Sequence, residues 1–92
     1  MSTASGPYAV AYDPKALKEL AKLDKQVARR ILRAVDALAA DPRPSGTRPL
    51  VGFAHLWRIR VGDYRAIYTI RDAELVVLVL RVAHPQRRLS QP

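Results

Sequence analysis

Residues 57–68 alternate between apolar and mostly basic side chains on either side of a Gly-Asp pair. Alternation with a period of two predicts strands that each bury one face. Gly62-Asp63 predicts a two-residue type II′ turn, because glycine readily adopts the positive φ that this turn requires. The stretch therefore predicts a tight β-hairpin, and a loop of only two residues fixes its register, with Arg60 directly opposite Arg65.

The same register places three basic side chains on one face of the hairpin, namely Arg58, Arg60 and Arg65. Like charges that face each other across a β-ladder are destabilising. We therefore expect this face to hold an anion, and the planar fork of arginine suits a pair of phosphate oxygens. The alternative is a set of solvated arginines on an exposed sheet face. The opposite face is predicted to be core: Trp57, Ile59, Val61, Tyr64, Ala66 and Tyr68.

The charge of the chain limits its possible partners. The 92 residues carry a formal net charge of +8, which favours nucleic acid, an acidic protein or an anionic membrane surface. A membrane is the least favoured partner, because the longest apolar run, residues 75–80, is far too short to span a bilayer. The N-terminal MSTASGP lacks the basic and apolar segments of a signal peptide, so a cytoplasmic location is expected.

Length and cysteine content limit the architecture. A chain of 92 residues is expected to form one domain, residues 8–92, after a loose tail at residues 1–7. The absence of cysteine excludes disulfides and thiolate metal sites. No metal or cofactor is expected.

Periodicity predicts the element order β-α-α-β-β-β. The first helix is predicted to begin at Pro14 after an Asp13 N-cap, and the second follows Asp24 and ends near Ala40. Pro-rich residues 41–46 are predicted to be a loop. The expected fold is α+β, with a helical hairpin packed on one face of a mainly antiparallel twisted sheet. The predicted strands are residues 8–12, 55–61, 64–71 and 74–82.

The position of Arg81 depends on the turn before the last strand. A two-residue Asp72-Ala73 turn would place Arg81 on the helix side of the sheet, whereas a three-residue turn would place it opposite Arg65. The sequence pattern is compatible with both.

Several segments together resemble toxins of the RelE/ParE superfamily, which belong to bacterial toxin–antitoxin pairs. They are Arg48-Pro-Leu-Val-Gly52, LWRIRVGDYRAIY at residues 56–68 and LVVLVLRVAH at residues 75–84. The resemblance extends over nearly the whole chain. In RelE-like members it implies a ribosome-dependent endoribonuclease that cuts messenger RNA, and in ParE-like members it implies inhibition of DNA gyrase. The fold alone does not decide between these activities.

The resemblance to RelE assigns roles to particular residues. Arg58 and Arg60 match the two basic positions of its active strand, and Arg65 matches its phosphate-binding arginine. The implied reaction is attack of the neighbouring 2′-hydroxyl on the scissile phosphate without a metal ion. The implied partners are the ribosome, messenger RNA and a cognate antitoxin, which is expected to be acidic and partly disordered alone.

The C-terminal end departs from the RelE pattern. Pro85 occupies the first expected arginine position, and no tyrosine follows Tyr68. Arg87 or Arg88 would replace the missing charge, and His84 is the nearby group suited to proton transfer. This departure keeps two alternatives open: a ParE-like gyrase inhibitor, or a catalytically weakened module that binds RNA or its antitoxin.

Further basic side chains are candidates for binding RNA phosphates, namely Arg81, Lys18, Lys22 and Lys25. For the helical lysines, the alternatives are a solvated helix face and a salt-sensitive patch that contacts ribosomal RNA.

Overall fold

A computed structural model describes residues 6–45, 47–50, 52 and 55–84. The elements follow the predicted order, with one additional short strand. They are β1 (Ala9–Tyr12), α1 (Pro14–Ala21), α2 (Lys25–Asp36), β2 (Arg48–Pro49), β3 (Leu56–Val61), β4 (Tyr64–Arg71) and β5 (Val76–Ala83). Single 3₁₀ turns follow α2 and β4, at Ala37–Ala39 and Asp72–Glu74.

The five strands form one sheet in the order β1-β5-β4-β3-β2. β1 is parallel to β5, and the other neighbouring pairs are antiparallel. The parallel pair requires a crossover from β1, and the hairpin of α1 and α2 begins that crossover and covers one face of the sheet. The predicted α+β fold is confirmed.

Both helices begin where the sequence places their caps. The Asp13 carboxylate accepts a hydrogen bond from the Lys15 amide at 2.9 Å, and Pro14 occupies the first helical position. The Asp24 carboxylate accepts one from the Gln26 amide at 3.1 Å. Each cap satisfies a backbone N–H that the helix leaves unpaired and contributes about 1 kcal/mol.

The core lies between the helices and the sheet. Its fully buried members include Ala16 of α1, Val35 of α2 and Tyr68 of β4, each at 0% exposure. The Tyr68 hydroxyl donates a hydrogen bond to the Pro42 carbonyl at 2.8 Å and lies 3.1 Å from Thr47 Oγ1. These two bonds attach the proline-rich loop to the centre of the sheet. Among the described residues, no helix is long and apolar enough to cross a membrane.

The turn between β4 and β5 differs from both predicted forms. Arg71 pairs with Val76, so residues 72–75 form a four-residue loop, in which Leu75 adopts a φ of 56°. An irregularity between Ile67 and Tyr68 then shifts the register again. Arg81 consequently pairs with Ile67 and not with Arg65, and its guanidinium donates hydrogen bonds to Glu19 of α1.

Candidate phosphate-binding site

The β3-β4 hairpin has the register that its turn predicts. Arg60 pairs with Arg65, and Arg58 pairs with Ile67. Gly62 has a φ of 59°, which explains the glycine at the first turn position. The predicted like-charged cross-strand pair is therefore present.

The other face of the hairpin enters the core as predicted. Ile59, Ala66 and Tyr68 are exposed by 7%, 1% and 0%. Trp57, Val61 and Tyr64 are partly buried and pack against the same cluster. Because neighbouring residues of a strand point to opposite faces, Arg58, Arg60 and Arg65 project away from the helices.

Two further arginines join this surface through strand pairing. β2 places Arg48 opposite Arg58, and β5 places Arg81 opposite Ile67 on its other side. We call this set the arginine face: Arg48, Arg58, Arg60, Arg65 and Arg81. Sequence analysis did not assign a role to Arg48, because the strand that positions it is only two residues long and follows a proline-rich loop.

Most of the arginine face lacks acidic partners. The side chains of Arg48, Arg58 and Arg65 form no hydrogen bond or ion pair with the residues that the structure describes. Arg60 donates through Nε to the carbonyl oxygen of Gly62 at 3.2 Å. Unneutralised guanidinium groups on neighbouring strands repel each other, and an oxyanion that accepts hydrogen bonds from several of them would relieve this repulsion.

Arg81 differs from the other members of the arginine face. Its Nε and Nη2 atoms donate to Glu19 Oε2 of α1 at 3.0 and 2.7 Å. This hydrogen-bonded carboxylate raises the pKa of Arg81, against a smaller lowering by burial. The ion pair engages the donors that were predicted to bind phosphate, so the structure gives Arg81 a structural partner instead.

His84 directly follows β5 and packs against Tyr64. Its ring contacts the ring of Tyr64 edge to face, with centroids 5.1 Å apart and an interplanar angle of 88°. Tyr64 belongs to the core side of the hairpin. The structure thus gives the His84 side chain a contact with Tyr64, and the role in proton transfer stays a prediction.

The predicted basic residues of the helices form a separate surface. Lys18, Lys22 and Lys25 are exposed around α1 and the start of α2, which cover the other face of the sheet. Arg87 and Arg88 lie outside the described residues, as do residues 1–5 of the predicted N-terminal tail.

Arg30 of α2, which has no role in the sequence-based predictions, lies at the hairpin turn. The Nη2, Nη1 and Cζ atoms of Arg30 lie 3.4, 3.6 and 3.7 Å from the position that a Cβ atom would occupy on Gly62. Arg30 also lines a small cavity of about 80 Å³ with Gly62, Asp63 and Tyr64. No sequence signal marks this contact, because it joins two elements more than 30 residues apart.

The opposite end of the hairpin holds a cluster with a carboxylate at its centre. Asp72 accepts hydrogen bonds from Arg43 Nη2 at 2.9 Å and from the Tyr8 hydroxyl at 2.6 Å. Both bonds lower the pKa of Asp72, and the bond from Arg43 has the larger effect. The Arg43 guanidinium also lies 5.3 Å from the ring centroid of Trp57. This cluster anchors the proline-rich loop and leaves Arg43 paired.

Comparison with known proteins identifies the family to which this chain belongs. Residues 10–89 match the family model described as "ParE toxin of type II toxin-antitoxin system, parDE". No curated protein sequence matches the chain. The chain belongs to this ParE toxin family, within the RelE/ParE superfamily of toxin–antitoxin toxins.

Solved structures of RelE toxins share the fold. A chain of the archaeal RelE-RelB complex from Pyrococcus horikoshii OT3 is 31% identical with a TM-score of 0.76, covering 89% of this chain and 99% of that one. A chain of the toxin-antitoxin complex RelBE2 from Mycobacterium tuberculosis is 28% identical with a TM-score of 0.78, covering 89% and 95%. The isolated E. coli RelE toxin is 27% identical with a TM-score of 0.75, covering 89% and 88%.

Proposed function

We propose that this toxin cleaves messenger RNA on the ribosome and that its arginine face binds the scissile phosphate. The observation that carries the proposal is the cross-strand pair of Arg60 and Arg65, with Arg58 on the same face. Arg58 and Arg65 have no acidic partner in the described part of the chain, and Arg60 bonds only to a backbone carbonyl. Three guanidinium groups thus lie on one surface, where they can bind an oxyanion together.

The chemistry requires these charges in the transition state. Attack of the 2′-hydroxyl on the adjacent phosphorus forms a crowded phosphorane with additional negative charge, and the 5′-oxygen then leaves with a proton. Donors that bind the phosphorane more strongly than the phosphodiester lower the barrier, and one such donor is commonly worth about 3 to 4 kcal/mol. Arginine remains protonated at working pH, so its role here is charge stabilisation.

We further propose an acidic antitoxin segment as the inhibitor. The similar chains from P. horikoshii and M. tuberculosis come from toxin-antitoxin complexes. The net charge of +8 favours a partner rich in Asp and Glu. A segment that covers Arg58, Arg60 and Arg65 would neutralise their mutual repulsion and exclude RNA from the same surface.

A second candidate function is inhibition of DNA gyrase. Two observations favour it: the matching family model is that of ParE, and the His84 ring packs edge to face against Tyr64 on the core side of the hairpin. The arginine face would then bind an acidic surface of the target and would not need a proton-transfer group.

The deciding experiment adds purified toxin to a bacterial translation extract and maps the 5′ ends of the messenger RNA. We expect ribosome-dependent cuts, and we expect Arg65→Ala to reduce the cleavage rate by about a hundred- to a thousandfold. Arg29→Ala is the matched control, because Arg29 is an exposed arginine of α2 outside the arginine face.

Each outcome separates the candidates. Cuts that disappear in Arg65→Ala but persist in Arg29→Ala support the nuclease and its site. Intact message together with inhibited supercoiling by purified gyrase would support the second function. Undiminished cutting by Arg65→Ala would mean that the active surface lies elsewhere on the protein.

A further inference from the structure

Two guanidinium groups from different elements meet at the turn of the β3-β4 hairpin. Arg60 approaches Gly62 from β3, with its Nε donating to the carbonyl oxygen at 3.2 Å. Arg30 approaches the same residue from α2, with Nη2 3.4 Å from the position of an added Cβ atom. Both guanidinium groups therefore lie beside Gly62, one at its carbonyl oxygen and the other near the position of an added Cβ atom.

The charge balance around the turn favours an anion. Neither Arg30 nor Arg65 forms an ion pair with a described residue, and Arg60 is held only by a backbone carbonyl. Asp63 is the acid of the cavity lining, but no ion pair joins its carboxylate to Arg30. The charges of Arg30, Arg60, Asp63 and Arg65 sum to a positive value, so a phosphate would reduce the net repulsion.

We propose that Arg30 and Arg60 form a second phosphate-binding position at the hairpin turn, beside the position held by Arg60 and Arg65. Its ligand is a backbone phosphate of the RNA next to the scissile one. Arg30 is then a positioning residue: it binds the adjacent backbone phosphate of the RNA, so that the scissile phosphate lies between Arg60 and Arg65. This inference rests on the proposed RNA substrate.

The backbone at the turn favours glycine, because position 62 has a φ of 59° that strains other residues. An added Cβ atom would lie 3.4 to 3.7 Å from the Arg30 guanidinium, which is ordinary van der Waals contact. α2 and the arginine face lie on opposite sides of the sheet. The approach of Arg30 to Gly62 connects them around the end of the hairpin.

The test measures binding separately from cleavage. A short, fluorescently labelled RNA, with 2′-deoxy substitution at the cut site so that it cannot be cleaved, is titrated with toxin at several salt concentrations. We expect Arg30→Ala to weaken binding about fivefold to tenfold and to lower the slope of log affinity against log salt by about 0.7, the loss of one phosphate contact on a single strand. Asp63→Asn should strengthen binding.

Arg29→Ala is the matched control, because it removes the same charge from the neighbouring position of α2. We expect a smaller loss of affinity and an unchanged salt slope. Arg30→Lys keeps the charge without the planar fork and should recover part of the affinity. In the ribosome-dependent assay, Arg30→Ala should raise the substrate concentration for half-maximal rate more than it lowers the maximal rate.

The outcomes separate this inference from the function on which it rests. Equal effects of Arg29→Ala and Arg30→Ala, or no effect of either, would overturn the position at the turn while leaving cleavage through Arg65 intact. If the unsubstituted toxin neither binds the RNA in a salt-dependent manner nor cuts message, the proposed function fails and the inference fails with it. Thermal unfolding of each variant establishes that the fold is retained.

Discussion

Glu19 and Arg81 join α1 to the last strand through one carboxylate. Glu19 Oε2 accepts two hydrogen bonds from the Arg81 guanidinium, at 3.0 and 2.7 Å, and Oε1 accepts one from the backbone amide of Val82 at 2.7 Å. β1 pairs with β5 only as far as Val79, so within the described part of the chain this edge of β5 has no strand partner at Val82. At Val82 the Glu19 carboxylate accepts the amide hydrogen bond that a neighbouring strand would accept, and it also neutralises Arg81.

We therefore predict that Glu19→Ala destabilises the protein by about 2 to 3 kcal/mol, because it leaves a partly buried amide and a charged guanidinium unpaired. Thermal unfolding should report this as a drop in Tm of roughly 10 °C or more for a domain of this size. Glu19→Gln keeps an acceptor and should cost less. The same change frees Arg81 beside Ile67, so RNA affinity should rise. Unaltered stability in Glu19→Ala would contradict this assignment.

For His84 we predict a structural effect. Replacing it by Gln removes one ring of the edge-to-face pair with Tyr64, which is worth about 0.5 to 1.5 kcal/mol. The cleavage rate should change by less than about threefold, since the ring packs against Tyr64 on the core side of the hairpin. A double-mutant cycle with Tyr64→Leu measures the coupling between the rings. A loss of a hundredfold or more in rate, with an altered pH profile, would show instead that His84 transfers a proton.

Stability at alkaline pH should depend on the buried hydroxyl of Tyr12. Burial, with a smaller influence of Asp36, raises the pKa of Tyr12 to about 12, and its hydroxyl is buried without a hydrogen-bond partner among the described residues. Because the folded pKa exceeds the ordinary value of 10.0, the neutral Tyr12 adds no ionisation cost to folding below pH 10.0, and stability falls as the pH rises from 10.0 toward about 12.

Tyr12→Phe should therefore flatten the alkaline part of the curve of stability against pH. At neutral pH the variant should be at least as stable as the unsubstituted protein, because an unsatisfied hydroxyl is removed. Urea unfolding at several pH values measures both effects. A variant that unfolds at the same alkaline pH as the parent would disprove the role of Tyr12.

Acid should weaken the cluster around Asp72. Arg43 and the Tyr8 hydroxyl lower the pKa of this carboxyl from its ordinary value of 3.8. The carboxylate thus favours the folded state fully above pH 3.8, and this contribution disappears as the pH falls through the lowered value. Asp72→Asn should make stability less dependent on pH in this acid range.

The matched control is Glu74→Gln in the same turn. Its partner Arg71 lies 4.0 Å away and both side chains are well exposed, so we expect almost no change in the acid unfolding profile. Circular dichroism during acid titration compares the three proteins. Identical profiles for Asp72→Asn and Glu74→Gln would mean that the Arg43 and Tyr8 bonds do not act on Asp72 in solution.

The local sequence pattern determined the hairpin and the helix starts. Alternation over residues 57–68 and a Gly-Asp turn specify which side chains share a face and which pair across the ladder, because both depend on a period of two and a loop of two residues. Asp13 and Asp24 mark helix starts, because a cap bonds an amide only two residues away. The family resemblance rested on the same local motifs and is confirmed by the matching family model.

Tertiary structure alone decided the partners of the remaining cations. The four-residue turn and the irregularity after Ile67 set the position of Arg81, and packing of α1 then supplied Glu19. The approach of Arg30 to Gly62 also joins residues distant in the chain. Such contacts depend on how completed elements pack, so hydrophobic periodicity carries no signal for them. The sequence thus determined which face is basic, and packing determined which of its arginines gained an acidic partner.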